Sequence, residues 1–83
     1  MKVDELRFSN HLISRMTERN LRTDWITDAI QYPDEEINIT EDETHFYKIT
    51  TEFQDKWLKV VVNKKNRIIV TAYFDRNKKG KTI

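Results

Sequence analysis

Pro33, the only proline in the chain, divides it into two hydrophobic periodicities. That change of period constrains the fold more than any other feature, because a helical pattern and an alternating pattern bury their apolar faces differently. Before Pro33, Leu12, Ile13 and Met16 recur at helical spacing. They predict a helix over 9–20, with Phe8 as a hydrophobic staple, Ser9 as N-cap and Asn20 as the C-terminal stop. A second helix is predicted over 23–32, with Thr23 as N-cap, Asp24 at the positive helix end and Trp25, Ile26, Ala29 and Ile30 along one stripe. Pro33 ends it, since the residue before a proline is pushed out of the helical region. Both helices are short and amphipathic, so each needs a surface to lie on.

After Pro33 the pattern alternates. Strands are predicted over 36–40, 45–53, 56–63 and 67–75, with acidic "EDET" joining the first two and "KKN" joining the last two. Leu58, Val60 and Val62 fall on one strand face, and Ile68, Val70, Ala72 and Phe74 on one face of the next. These are the expected core faces. Trp57, Lys59 and Val61, with Ile69, Thr71 and Tyr73, fall on the opposite faces. The segment 76–83 holds the only glycine and no periodicity, and is expected to fray. The expected architecture is α+β in a single domain over 1–83: two N-terminal helices packed on a four-stranded antiparallel β-meander.

The net charge is only +1, but the charges are segregated. Residues 1–23 carry five basic side chains against three acidic ones. Residues 24–47 carry eight acidic groups and no lysine or arginine, and residues 48–83 carry ten basic groups against three acidic. A basic first helix meeting basic last strands would present one positive face to a polyanion. A solvated surface is the plainer reading of each block.

Several function classes are excluded by what the chain lacks. There is no cysteine, hence no disulfide framework and no thiolate site, and no run of apolar residues long enough to span a bilayer. The start "MKVDELRFSNHL" places acids where a signal peptide needs an apolar stretch, so a cytoplasmic location is expected. No phosphate loop, dinucleotide fingerprint or HExxH motif occurs, and the acidic set around Glu41 lacks the spacing of a calcium loop. No metal and no cofactor are expected.

What remains is the row His11, Arg15 and Arg19, spaced i, i+4 and i+8 on one helix face. Guanidinium forks are shaped to hold phosphate, and histidine can pass a proton near neutral pH. Together they suit a metal-free phosphodiester site. The plainer reading pairs the arginines with Glu18, Asp24 or the acidic block. His45 reads first as a satisfied sheet residue. Trp57 and Tyr47 are able to stack on bases, although packing is the commoner use of a sheet aromatic.

Phe8, Ser9, His11, Arg15, Met16 and Arg19, followed by Pro33 and then by Val70, Thr71 and Tyr73, form an ordered set over about residues 8–75. The set resembles the bacterial family of domain of unknown function DUF4258, with Leu12 in place of a usual alanine and Asn20 in place of a usual glycine. That family is similar to small RelE-like, BrnT-like, barnase, EndoU and colicin ribonuclease folds. The resemblance implies a RelE/barnase-like fold and a metal-independent, toxin-like ribonuclease that cleaves RNA through the ribose 2′-hydroxyl. It implies that His11 is general acid or base, that Arg15 and Arg19 bind the scissile phosphate, and that Thr71 and Tyr73 position it or share the proton transfer. It further implies a cognate antitoxin or immunity protein as partner, beside RNA.

Two other classes stay open. One is a non-catalytic module that binds RNA or protein through the basic face, using Lys59, Lys64 and Trp57 beside the arginines. The other is an immunity or interaction protein that uses the acidic block 24–43. Oligomeric state is not legible in the sequence. One geometric tension stands: Thr71 and Tyr73 are expected on the sheet face away from the helices, so His11 meets them only around a sheet edge.

Overall fold

The computed structural model describes residues 3–78. In chain order its elements are β1 (Arg7–Phe8), α1 (Asn10–Met16), α2 (Thr23–Gln31), β2 (Glu35–Asn38), β3 (Glu43–Thr50), β4 (Lys56–Asn63) and β5 (Ile68–Phe74). Single turns of 3-10 helix lie at Val3–Glu5 and Thr51–Phe53. The strands form one sheet in the order β1-β5-β4-β3-β2.

Ser9 starts α1 by two bonds. Its backbone is extended, its Oγ accepts from the Leu12 N–H at 3.0 Å, and the same hydroxyl donates to the Val70 carbonyl at 2.7 Å. The expected cap is therefore present, and it also ties the helix to β5. Beyond Met16 the chain continues as a turn in which Arg19 N–H bonds to Arg15 O, and Asn20 closes it at φ 56° with the Leu21 N–H on Met16 O. Asparagine tolerates that left-handed conformation, which is why the segment stops there. In α2, Ile26 and Ala29 are fully buried and Ile30 nearly so, as the stripe predicts. The cap expectation differs: Arg22 occupies the N-cap position without a side-chain cap bond, and Thr23 is already helical.

The four-stranded antiparallel meander is corrected to a five-stranded mixed sheet. Arg7 and Phe8 pair in parallel with Ile68 and Ile69, while the other three pairings are antiparallel. A two-residue strand is too short to carry an alternation, so periodicity had no means of revealing it. The strand expected over 45–53 begins earlier, at Glu43, and ends at Thr50, where the chain turns.

The core face of β5 is also corrected. Ile69 is fully buried and Val70 is 39% exposed, the reverse of the expected alternation. The cause is a bulge: Val61 pairs with Thr71 and Val62 with Ile69, leaving Val70 without a partner. The extra residue shifts the phase, so Ile69, Ala72 and Phe74 share the core face with Val62, Val60 and Leu58. On α1, Leu12 is buried and Met16 packs on the core, but Ile13 is 56% exposed because the helix offers only a narrow stripe to β5. The segment expected to fray begins in place instead: Lys78 Nζ bonds Glu35 Oε2 at 2.7 Å. Residues 79–83 of that segment lie outside the described residues. Among the described residues no helix is long and apolar enough to cross a membrane.

Candidate functional site

The site begins with an unfinished sheet edge. Because β1 covers β5 only at Ile68 and Ile69, the carbonyls further along β5 have no strand beside them. The α1 segment takes them over. Ser9 holds Val70 O, and Arg19 Nη1 donates to both Thr71 Oγ1 and Ala72 O, each at 3.1 Å. The two ends of the segment are thus pinned to β5 carbonyls two residues apart, about 7 Å along a strand. Arg19 thus reaches Thr71 around the sheet edge, whereas His11, expected to meet Thr71 and Tyr73 there, is hydrogen-bonded to neither among the described residues.

Among the described residues Arg19 bonds the protein through Nη1 alone, which leaves its Nε–H and both Nη2 protons for a ligand. A cavity of about 630 Å³ opens beside it, with Arg19, Trp57, Tyr73 and Lys78 among its walls. Stacked Phe53 and Phe74, 4.7 Å apart, form an apolar part of the lining. The cations Lys56 and Arg76 and the acids Glu18, Asp55 and Asp75 also line it. Sequence reasoning missed Lys56, Arg76 and Lys78; Lys56 opens β4 and the other two lie beyond β5, and no periodicity marks a residue that reaches a cavity from a strand end or a turn.

His11 is solvent-exposed in the first turn of α1, two residues beyond the Ser9 anchor. Arg15 is exposed and bonded to Glu18 at 2.9 Å. Thr71 joins the site through Arg19, and Tyr73 lines the cavity. Lys64 is placed elsewhere: its Nζ is 3.4 Å from Asn38 Oδ1, at the far end of β4 from Trp57, about 23 Å along the strand.

Lys59 lies on the sheet face away from α2, its ammonium 5.7 Å from the Tyr47 ring centre and 5.6 Å from that of Tyr73. Partial burial pulls its pKa down, but the hydrogen-bonding phenol of Tyr73 and the charge interactions with both tyrosines outweigh it, so the pKa stands above the ordinary lysine value. Lys78 covers Tyr47 and Trp57 in the same way, at 4.7 and 5.3 Å. Tyr47 and Trp57 are buried beneath these cations, so neither presents an open ring face for base stacking. Trp57 has a further peculiarity: its Nε1 is buried and has no hydrogen-bond partner. A buried unsatisfied donor costs on the order of 1–3 kcal/mol.

His45 shares the Lys59 face, with its Nε2 2.6 Å from Glu43 Oε2. No group of histidine and acidic residues suited to a metal ion occurs among the described residues. The basic first helix and the acidic edge strand are apart, although Lys78 of the last basic block pairs with Glu35 of the acidic one. Basic α1 packs on β5, whereas the acidic β2 forms the opposite edge of the sheet, three strand spacings or about 14 Å away.

Fold and site together define a small α+β protein with a cation-lined cleft where a helical segment closes a sheet edge. A family model described as a domain of unknown function, DUF4258, matches residues 8–74, and the chain belongs to that family. No curated protein and no solved structure gives a significant match.

Proposed function

We propose that this protein is a small metal-independent ribonuclease acting at the α1–β5 edge. The observation that carries the reading is the Arg19 bridge, which brings a guanidinium, three of whose N–H groups have no partner among the described residues, to Thr71 and to the cavity lined by Tyr73. Arg19 holds the scissile phosphate, and Arg15, released from Glu18, holds a neighbouring one. His11 takes the proton of the ribose 2′-hydroxyl as its oxygen attacks phosphorus. The bond from phosphorus to the 5′-oxygen breaks, and Tyr73 returns a proton to that leaving oxygen. The products are a 2′,3′-cyclic phosphate and a free 5′-hydroxyl, with no cofactor required.

The reading is tested by incubating a short single-stranded RNA with wild type, His11→Ala and Arg19→Ala, each first checked for native circular dichroism. Cleavage by wild type alone supports it. RNA retained in a salt-sensitive complex but uncut by wild type would favour the binding-module reading, which has its own support in the exposure of His11 and the pairing of Arg15 with Glu18. A cognate antitoxin or immunity protein fits the same site: an acidic surface laid on this cleft would neutralise Arg19, Lys56 and Arg76 and close it to RNA.

A further inference from the structure

We infer that the bound RNA continues from Arg19 over the sheet face turned away from α2, and that Lys59 holds the phosphate next on the 3′ side of the scissile one. This assignment rests on the ribonuclease reading above and adds a strand direction and a second phosphate to its substrate.

The sheet register fixes the placement. Thr71, which accepts from Arg19 Nη1, is paired with Val61, and Tyr73, two residues on, is paired with Lys59. Alternation puts Thr71, Tyr73 and Lys59 on one face, opposite Ala72 and Val60 of the core. From Thr71 to Lys59 is one strand spacing across and two residues along, about 8 Å, within the span of one nucleotide step. In the proposed cleavage Tyr73 gives its proton to the leaving 5′-oxygen. That oxygen belongs to the nucleotide on the 3′ side, so a cation beside Tyr73 meets the 3′ continuation of the strand. Arg15, on the α1 side of Arg19, is left to the 5′ continuation.

The balance of charge on this face independently points to an anion. Lys59 and Lys78 each place an ammonium over the Tyr47 ring, at 5.7 and 4.7 Å. Lys78 is matched by the Glu35 carboxylate at 2.7 Å, whereas Lys59 forms no ion pair among the described residues. An aromatic face attracts a cation but carries no net charge, so the rings of Tyr47 and Tyr73 orient the Lys59 ammonium without neutralising it. Lys59 is half-buried, which strengthens its attraction for a phosphate relative to a fully solvated lysine. A cation held in place before binding also has less ordering left to lose when the ligand arrives.

The test uses the full chain and a short RNA in which the linkage cut by wild type has been located. The sugar on the 3′ side of that linkage is made 2′-deoxy, and the linkage after it is either a phosphodiester or an uncharged methylphosphonate. A second pair of oligonucleotides carries the same change at the linkage on the 5′ side. Wild type is expected to cut the 3′-methylphosphonate with kcat/KM about tenfold below its phosphodiester partner. Lys59→Met is expected to cut the phosphodiester about tenfold more slowly than wild type does and to lose the distinction between the two, while keeping the wild-type ratio for the 5′ pair. A merely structural role for Lys59 would slow every substrate alike and preserve both ratios. A wild type that cuts both members of the 3′ pair equally, or a Lys59→Met that still prefers the 3′-phosphodiester tenfold, overturns the subsite and leaves the ribonuclease reading standing. RNA left intact by wild type removes that reading and the subsite with it. Lys59→Gln replaces Lys59→Met if the latter does not fold, and the wild-type ratio for the 3′ pair decides alone if neither does.

Discussion

Arg19 Nη1 lies 3.1 Å from Thr71 Oγ1, joining two residues 52 positions apart in the chain. The same nitrogen holds Ala72 O, so the guanidinium is fixed in orientation before any ligand arrives. Such fixed donors contribute more to a phosphate transition state than mobile ones. Arg19→Lys is therefore expected to fail nearly as badly as Arg19→Ala, because one ammonium cannot hold Thr71, Ala72 and a phosphate in the planar geometry of a fork. Both should lower RNA cleavage by about 100-fold or more, as removal of a single oriented donor does elsewhere. Thr71→Val, which loosens the guanidinium but leaves its charge, should cost about tenfold. Cleavage rates of the three variants check the order.

The bulge at Val70 makes a sharp stability prediction. Ile69→Ala should destabilise the protein by about 2–5 kcal/mol, since Ile69 is fully buried. Val70→Ala should cost under about 1 kcal/mol, because Val70 stands outside the ladder and is partly exposed. Thermal melts resolve the difference, each kcal/mol moving the midpoint by about 4–8 °C in a domain of this size. A larger loss from Val70→Ala than from Ile69→Ala would mean that the regular alternation expected from sequence holds after all.

That contrast shows where sequence reading succeeded and where it stopped. Long periodic segments were legible: the α2 stripe of Ile26, Ala29 and Ile30, the limits of β4, and the Ser9 cap are all as read. The features that escaped are those without a period. A one-residue bulge reverses the face of Ile69 while leaving the composition of β5 unchanged, and a two-residue β1 has no alternation to detect. The site behaves similarly. Spacing marks Arg19, and only the family resemblance marks Thr71 and Tyr73, but the edge that joins Arg19 to Thr71 exists only because β1 ends early. Lys78 falls in the segment expected to fray, since nothing local announces that it covers Trp57.

Ser9 does two tasks with one hydroxyl, and its loss should show in both stability and activity. Ser9→Ala removes the acceptor for Leu12 N–H and the donor to Val70 O. The expected cost is about 1–2 kcal/mol, at the upper end for an N-cap because the tertiary bond goes with it. The variant should also cleave RNA several-fold more slowly, since α1 carries His11. His11→Ala, by contrast, should leave the melting midpoint within about 2 °C of wild type, because an exposed helix position contributes little to stability. Paired melts and cleavage assays separate the two effects.

Lys59 predicts a pH dependence of stability. Its folded-state pKa is raised, so the stabilisation from its charged form is fully present below the unfolded value near 10.5 and is lost as pH rises through the folded value. Urea unfolding between pH 9 and 11.5 should show a decline for wild type beginning above about pH 10. Lys59→Met should be flatter over that window, with the remaining decline due to groups common to both proteins. A wild type and variant with parallel curves would remove Lys59 from the account.

The chemistry of the RNA ends tests the central claim most directly. Wild-type protein is incubated in excess EDTA with an RNA oligonucleotide, and in parallel with the same oligonucleotide carrying 2′-deoxyribose throughout. The account predicts fragments ending in 2′,3′-cyclic phosphate and 5′-hydroxyl from the first and none from the second. Intact RNA, or equal cutting of both oligonucleotides, would contradict it.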